Sequence, residues 1–187
     1  MNKNNGESKL EKTAREGAFG PQEIKKGEKN RFLGEYRERV IAYLDQKQLK
    51  EKAVYPEIRE IMQRSDADKL IVRGDMPKDK TKKYKDWARE FELQFTRKNS
   101  PEFRGEVALE IAGNQAVDQQ IGRIIDREEK LQKKGLSDNI IKNAGAKLCS
   151  DCWNELMEKA PEEAVNYNKT GLFDKITGTG CVGCRED

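Results

Sequence analysis

Histidine is absent from all 187 residues. That single absence removes Ser-His and Cys-His catalysis, imidazole proton transfer and every histidine-ligated metal site. Apolar residues are scarce as well, at 35% of the chain against roughly 45–50% in average globular domains, and mean hydropathy is −0.99. A lean core with solvated ends follows. Aromatics supply only 7% of the residues, yet they and the aliphatics recur at regular spacings that a disordered chain would not need. No apolar run approaches the ~20 residues that span a bilayer, and the start MNKNNGESKLEK lacks the apolar stretch of a secretory signal. The expected compartment is the cytoplasm. Gly74-Asp75 follows Val72 without the rest of a dinucleotide-binding or P-loop pattern, and no converging pair of carboxylates stands out by spacing. A non-enzymatic protein is therefore expected, with an enzyme of unknown reaction as a remaining alternative.

Charge is what the chain has in quantity. Charged residues make up 38%, and 37 Lys and Arg against 34 Asp and Glu leave a formal net charge of +3. The length suits one mid-sized domain or a domain with a small appendage. Residues 1–16 are polar and read as a mobile arm, followed by a turn-like segment whose Phe19 and Ile24 can dock on the domain. Leu33, Tyr36, Val40 and Leu44 fall at i, i+3, i+7 and i+11 and predict a first helix, with Glu35 and Arg39 as an i, i+4 ion pair on it. Val54, Ile58, Ile61 and Met62 predict a second helix opened by Pro56. Lys69 to Arg73 reads as a buried strand, and Tyr84, Trp87, Ala88 and Phe91 as the apolar stripe of a third helix. Leu93 with Phe95, and Val107 with Leu109 and Ile111, predict two more strands. Ile121, Ile124, Ile125 and Leu131 predict another helix. A last one is expected within Leu136 to Leu148, with Ser137 and Asp138 as N-caps.

This order points to an α/β fold, a layered sandwich of a small mixed sheet with flanking helices, in which helical crossovers favour some parallel pairing. Lys130, Lys133, Lys134 and Gly135 read as a helix end and linker. A boundary near residue 134 would divide an α/β domain over 17–134 from a C-terminal helix and four-cysteine appendage over 135–187.

The sharpest chemical signal is Cys149-x2-Cys152, then 28 residues, then Cys181-x2-Cys184. Two such pairs supply four thiolates, the set that a tetrahedral zinc site takes at ~2.3 Å per bond. With no histidine available, an all-cysteine centre is the natural form. The gap is longer than the roughly 15–20 residues of zinc ribbons and resembles the spacing of rubredoxin-type iron sites, so zinc is the expected metal with iron open. Two other readings stand beside this metal clip. The thiols are a redox-responsive pair, or they are reduced thiols without a metal. A tail whose main hydrophobes are Trp153, Leu156, Met157, Val165, Tyr167, Leu172, Phe173 and Ile176 is too small to fold well alone, so metal binding would supply its folding energy.

Lys78, Lys80, Lys82, Lys83 and Lys85 form a basic cluster interleaved with Tyr84 and Trp87. Such a cluster can hold a phosphate backbone while an aromatic face stacks a base. The simpler reading places Tyr84 and Trp87 in the core and the lysines on a solvated face. The partner expected from the basic faces is RNA or the ribosome.

The words Gly20-Pro21-Gln22-Glu23-Ile24-Lys25, Arg31-Phe32-Leu33-Gly34-Glu35-Tyr36-Arg37-Glu38-Arg39-Val40 and Val54-Tyr55-Pro56-Glu57 resemble the YueI-like family of small proteins from low-GC Gram-positive bacteria. Ala112-Gly113-Asn114-Gln115-Ala116-Val117-Asp118 is similar to that family's closing segment. The likeness covers roughly residues 15 to 120. It implies an α/β sandwich similar to the fold of ribosomal proteins that bind kinked RNA, and it implies no catalytic residues. Gly113-Asn114 comes too late in the chain to take the RNA-contact role of those proteins, and the cysteines lie outside the matched words.

Overall fold

Val40-Ile41-Ala42-Tyr43-Leu44 carries two β-branched residues and an aromatic one, and it forms a strand rather than the centre of a helix. In the computed structural model, which describes residues 26–171 and 181–184, the chain runs through α1 (Lys26–Arg31), β1 (Val40–Asp45), α2 (Gln46–Lys50), α3 (Pro56–Ile61), β2 (Lys69–Arg73), α4 (Lys78–Glu90), β3 (Gln94–Lys98), β4 (Val107–Ala112) and β5 (Gly122–Arg123). It continues through α5 (Arg127–Lys133), α6 (Asp138–Lys142), β6 (Lys147–Leu148), α7 (Ser150–Lys159) and β7 (Asn168–Lys169). The arm expected over residues 1–16, the docking residues Phe19 and Ile24, and the words before Lys26 lie outside the described residues.

The main sheet has the order β3-β2-β4-β1-β5. β4 sits at its centre, antiparallel to β1 and β2, while β3 is parallel to β2 and β5 parallel to β1. The α4 crossover between β2 and β3 produces the first parallel pair, as its length requires. The expected α/β class and mixed sheet are both present. One face of the sheet packs under α2, α3 and α4, burying Leu44, Ile58, Leu70, Tyr84, Trp87 and Leu109 in the larger core. A second core gathers Leu131, Ile140, Ile141, Leu148, Leu156 and Tyr167 from the C-terminal elements. Leu131, on the N-terminal side of the expected boundary near residue 134, packs with this second core.

Three expected helices differ from the structure. Leu33, Tyr36, Val40 and Leu44 share no helix: Val40 and Leu44 lie in β1, preceded by a 3-10 turn at Arg37–Arg39. Strand pairing with β4 outweighs the helical spacing, which arises by chance in a short apolar run. Ile121 and Ile124 direct their N–H groups to the carbonyls of Ile41 and Tyr43, so this stretch extends along β1 and the helix begins only at Arg127. The helix expected within Leu136 to Leu148 ends at Lys142, because Gly145 adopts φ +83°, and Leu148 belongs to β6. Ser137 occupies the N-cap of α6, yet its hydroxyl makes no capping bond.

Glu35 also departs from its expected partner. With no helix over residues 35–39, it pairs with Lys98 at 3.1 Å and Lys69 at 3.5 Å. Near it, on the sheet face carrying Ile71, lies Glu110, fully buried in β4 with neither oxygen accepting a hydrogen bond. Burial pushes its carboxyl well above the usual range, Glu35 adds to the shift, and Lys98 and Lys69 only partly oppose it. A group with a raised acid pKa destabilises the fold increasingly as pH climbs above the unfolded value of 4.5. Glu110→Met is expected to stabilise the fold by about 1–3 kcal/mol at pH 4, the cost of an unsatisfied buried polar group, and by more at pH 7, where the raised carboxyl pKa adds its own penalty. Thermal unfolding at the two pH values checks this.

Candidate metal centre

The C-terminal elements dock on the sheet domain through a buried polar junction. Arg127, at the first position of α5, is 5% exposed and faces Glu163, which is fully enclosed in a 3-10 turn at Pro161–Asn166. Its Nε donates to Glu163 at 2.7 Å, Nη1 to the Ile141 carbonyl at 2.8 Å and Nη2 to the Tyr167 hydroxyl at 2.7 Å. Lys130 adds ion pairs to Glu57 at 2.7 Å and Glu163 at 3.2 Å. Asn166 bonds the Val54 backbone in both directions. These contacts tie α5 to α6, to the 3-10 turn that follows α7 and to the sheet domain.

Cys149 is the N-cap of α7 and Cys152 lies in its first turn, so the helix start brings the first pair to one side. The second pair is Cys181 and Cys184, the latter closing a 3-10 turn at Val182–Cys184. The Sγ atoms of Cys149 and Cys184 are 3.4 Å apart, those of Cys152 and Cys184 3.5 Å, and all four lie within 4.8 Å of one another. A tetrahedron with ~2.3 Å bonds sets its sulfurs about 3.8 Å apart, so small adjustments admit one ion. None of the four is in a disulfide. The two pairs converge across 28 intervening residues, and the cluster can hold a metal ion.

The surroundings favour a thiolate at Cys181. The Cys149 N–H donates to Cys181 Sγ at 3.2 Å, and α7 points its positive end at the pair it carries. Burial opposes the Cys181 thiolate, but N–H groups of Cys149 and Gly183 outweigh it and lower its pKa to about 7. Burial pushes the Cys152 thiol up, as does hydrogen bonding with the neighbouring cysteines. A Cβ on Gly183 would stand 2.7 Å from Cys152 Sγ and 3.1 Å from Ile140, so a glycine is needed where the second knuckle closes on the first. Ile140, with Trp153 and Val182, places the centre on the wall of the second core.

The lysine cluster is split by its helix. Lys78, Lys82, Lys83 and Lys85 are exposed, whereas Lys80 is half-buried and donates to the Glu51 carbonyl at 3.1 Å. Tyr84 and Trp87 are buried in the larger core, so neither presents a face for a base. The Arg127 junction and the Glu35 pairs had no local signal in the sequence, since Arg127 and Glu163 stand 36 residues apart and Glu35 and Lys98 63 apart.

Fold and site together define a layered α/β protein with a C-terminal cluster of four thiols able to take a metal ion. The family described as "Protein of unknown function (DUF1694)" matches residues 7–122, and the chain belongs to that family. The uncharacterized protein YueI of Bacillus subtilis (strain 168) is 27% identical over 120 residues, which are 64% of this chain and 91% of that protein. The crystal structure of the YueI protein from Bacillus subtilis matches with a TM-score of 0.52 at 26% identity, covering 63% of this chain and 92% of that one. The YueI-like likeness read from the sequence therefore holds, and the family match ends before all four cysteines. No helix among the described residues is long and apolar enough to cross a membrane.

Glu163→Gln leaves a buried guanidinium without its counter-charge, and breaking such a pair costs about 3–5 kcal/mol. The expected result is a loss of that size in denaturant unfolding. The double replacement Arg127→Met with Glu163→Leu should recover much of it.

Proposed function

We propose that the C-terminal extension folds around one zinc ion held by Cys149, Cys152, Cys181 and Cys184, and that the protein is a YueI-like binding protein rather than an enzyme. The convergence of all four sulfurs on one small volume supports this reading. Four thiolates suit zinc or iron, but Zn²⁺ is held more tightly than Fe²⁺ by such donors, and four protein ligands close the coordination shell as structural zinc sites do. The ion would fasten residues 181–184 to the start of α7. Binding of this kind is worth on the order of 10 kcal/mol in zinc-finger peptides, a large contribution for an extension of this size.

The non-catalytic part is supported by how three of the buried charged groups are used, Glu110 being the one among the described residues left without a hydrogen-bond partner. Arg127, Glu163 and Asp45 each answer backbone or opposite-charge partners within the fold. Their roles are architectural.

Elemental analysis of purified protein should give about one equivalent of zinc, and Cys149→Ser should lose it. Limited proteolysis of that variant should produce new cuts confined to residues 149–187 while the sheet domain stays intact. A red, iron-loaded protein would replace zinc by iron in the same site. Metal-free protein with four freely titrating thiols would end the proposal.

A further inference from the structure

Lys78, Lys82 and Lys85 fall at i, i+4 and i+7 of α4 and form one stripe along the helix. The stripe borders β3, an edge strand of the main sheet. Between them runs a groove of about 360 Å³, with the three lysines on the helix side and Phe95 and Arg97 on the strand side. Asp79 is the one carboxylate in its lining. Arg97 is fixed there by its donation to the Thr81 hydroxyl at 2.9 Å, the Gly74 carbonyl at 3.0 Å and the Met76 carbonyl. Phe95 is half-buried, packed against the larger core, and the Lys85 ammonium lies 5.5 Å from its ring centre.

We propose that this groove binds single-stranded nucleic acid, with a base stacked on Phe95 and successive phosphates held by Lys78, Lys82 and Lys85. Four cations against one lining acid and an exposed Asp86 that pairs with Lys82 at 3.4 Å, together with one half-buried aromatic ring, match a ligand that is anionic along its length and aromatic at intervals. The lysine stripe is about 10 Å long at 1.5 Å per residue, enough for two or three phosphates of a single strand. Lys85 rests on the ring by a weak surface contact, and its flexible stem lets the ammonium move to a phosphate as the base takes its place. A duplex keeps its base faces covered and offers Phe95 nothing to stack.

The five clustered lysines are therefore not equivalent. Lys80 turns away to the Glu51 carbonyl, and Lys83 lies over the Trp87 ring on another side of the helix. They supply a control of equal charge. The basic cluster was legible in the sequence, but its aromatic partner is Phe95 from the next strand rather than Tyr84 or Trp87.

Fluorescence anisotropy of the full-length protein with labelled oligouridylate and oligothymidylate, roughly ten nucleotides each, tests this. With three phosphates engaged, log K against log salt should have a slope of about −2, since each contributes about −0.7. Lys82→Gln with Lys85→Gln should weaken binding at least about tenfold and flatten that slope by about 1.4. Lys80→Gln with Lys83→Gln should change it by less than about threefold. Phe95→Leu, with unchanged thermal unfolding, should cost roughly tenfold through lost stacking. Preference for the uridylate assigns RNA, and preference for the thymidylate assigns single-stranded DNA. No binding at about 50 mM salt, equal losses in the two double variants, no effect of Phe95→Leu, or tighter binding of a duplex of the same length would each overturn the proposal.

Discussion

Arg127 carries a permanent charge into a place nearly closed to water, and the arrangement of both cores depends on how that charge is answered. Removing a guanidinium from water is costly unless each donor finds an acceptor in good geometry. Here Glu163, the Ile141 carbonyl and the Tyr167 hydroxyl take its three nitrogens. The network reaches into the larger core as well, for the Tyr55 hydroxyl accepts from the Arg127 N–H while the Tyr84 hydroxyl accepts from the Tyr55 N–H. Apolar surfaces alone would tolerate several dockings. Directional bonds around a buried charge tolerate far fewer.

A second set of contacts ties the residues just past the family match to the sheet. Asp45 and Gln48 form a reciprocal cap at the start of α2, each accepting from the other's backbone N–H. Burial works against the Asp45 carboxylate, but the Gln48 N–H and Arg123 together hold its pKa below the ordinary value. Gln48 then reaches the Ile124 carbonyl at 2.8 Å and Asp126 at 3.0 Å, and Arg123 bridges Asp45 and Asp126. The extension thus grows directly out of β5 and is gripped where it leaves the sheet. Further along, the start of α7 and the turn at Val182–Cys184 meet at the cysteine cluster, so the extension is held at one end by ions of opposite sign and gathered at the other by sulfur.

Long periodic elements and special residues were readable without coordinates. The apolar stripe of α4, with Tyr84, Trp87 and Ala88, survived because thirteen residues contain enough turns for the helical period to show. β2 and β4 were legible as short apolar runs between turn signals, and the paired CxxC spacing identified the four cysteines before their convergence was seen. Short stretches whose apolar residues also fit the wrong period were not. In the stretch from Leu33 to Leu44, four apolar positions matched a helix by coincidence, and pairing with β4 decided for a strand. Ile121 and Ile125 were expected on a buried helical face, yet they are 50% and 56% exposed beside a two-residue edge strand.

Composition and spacing settled the chemistry that was available: no imidazole anywhere, four thiols in two doublets, a lean α/β core and a basic helix. These are properties of residue types and of neighbours along one element, where physical distance follows from chain separation. The partners of charged groups were settled elsewhere. Glu35 meets Lys98, Arg127 meets Glu163, and Lys85 of α4 meets Phe95, each across segments brought together by sheet order and helix docking. Coulomb and hydrogen-bond energies fall off over a few ångströms, and those distances exist only after the chain has closed on itself.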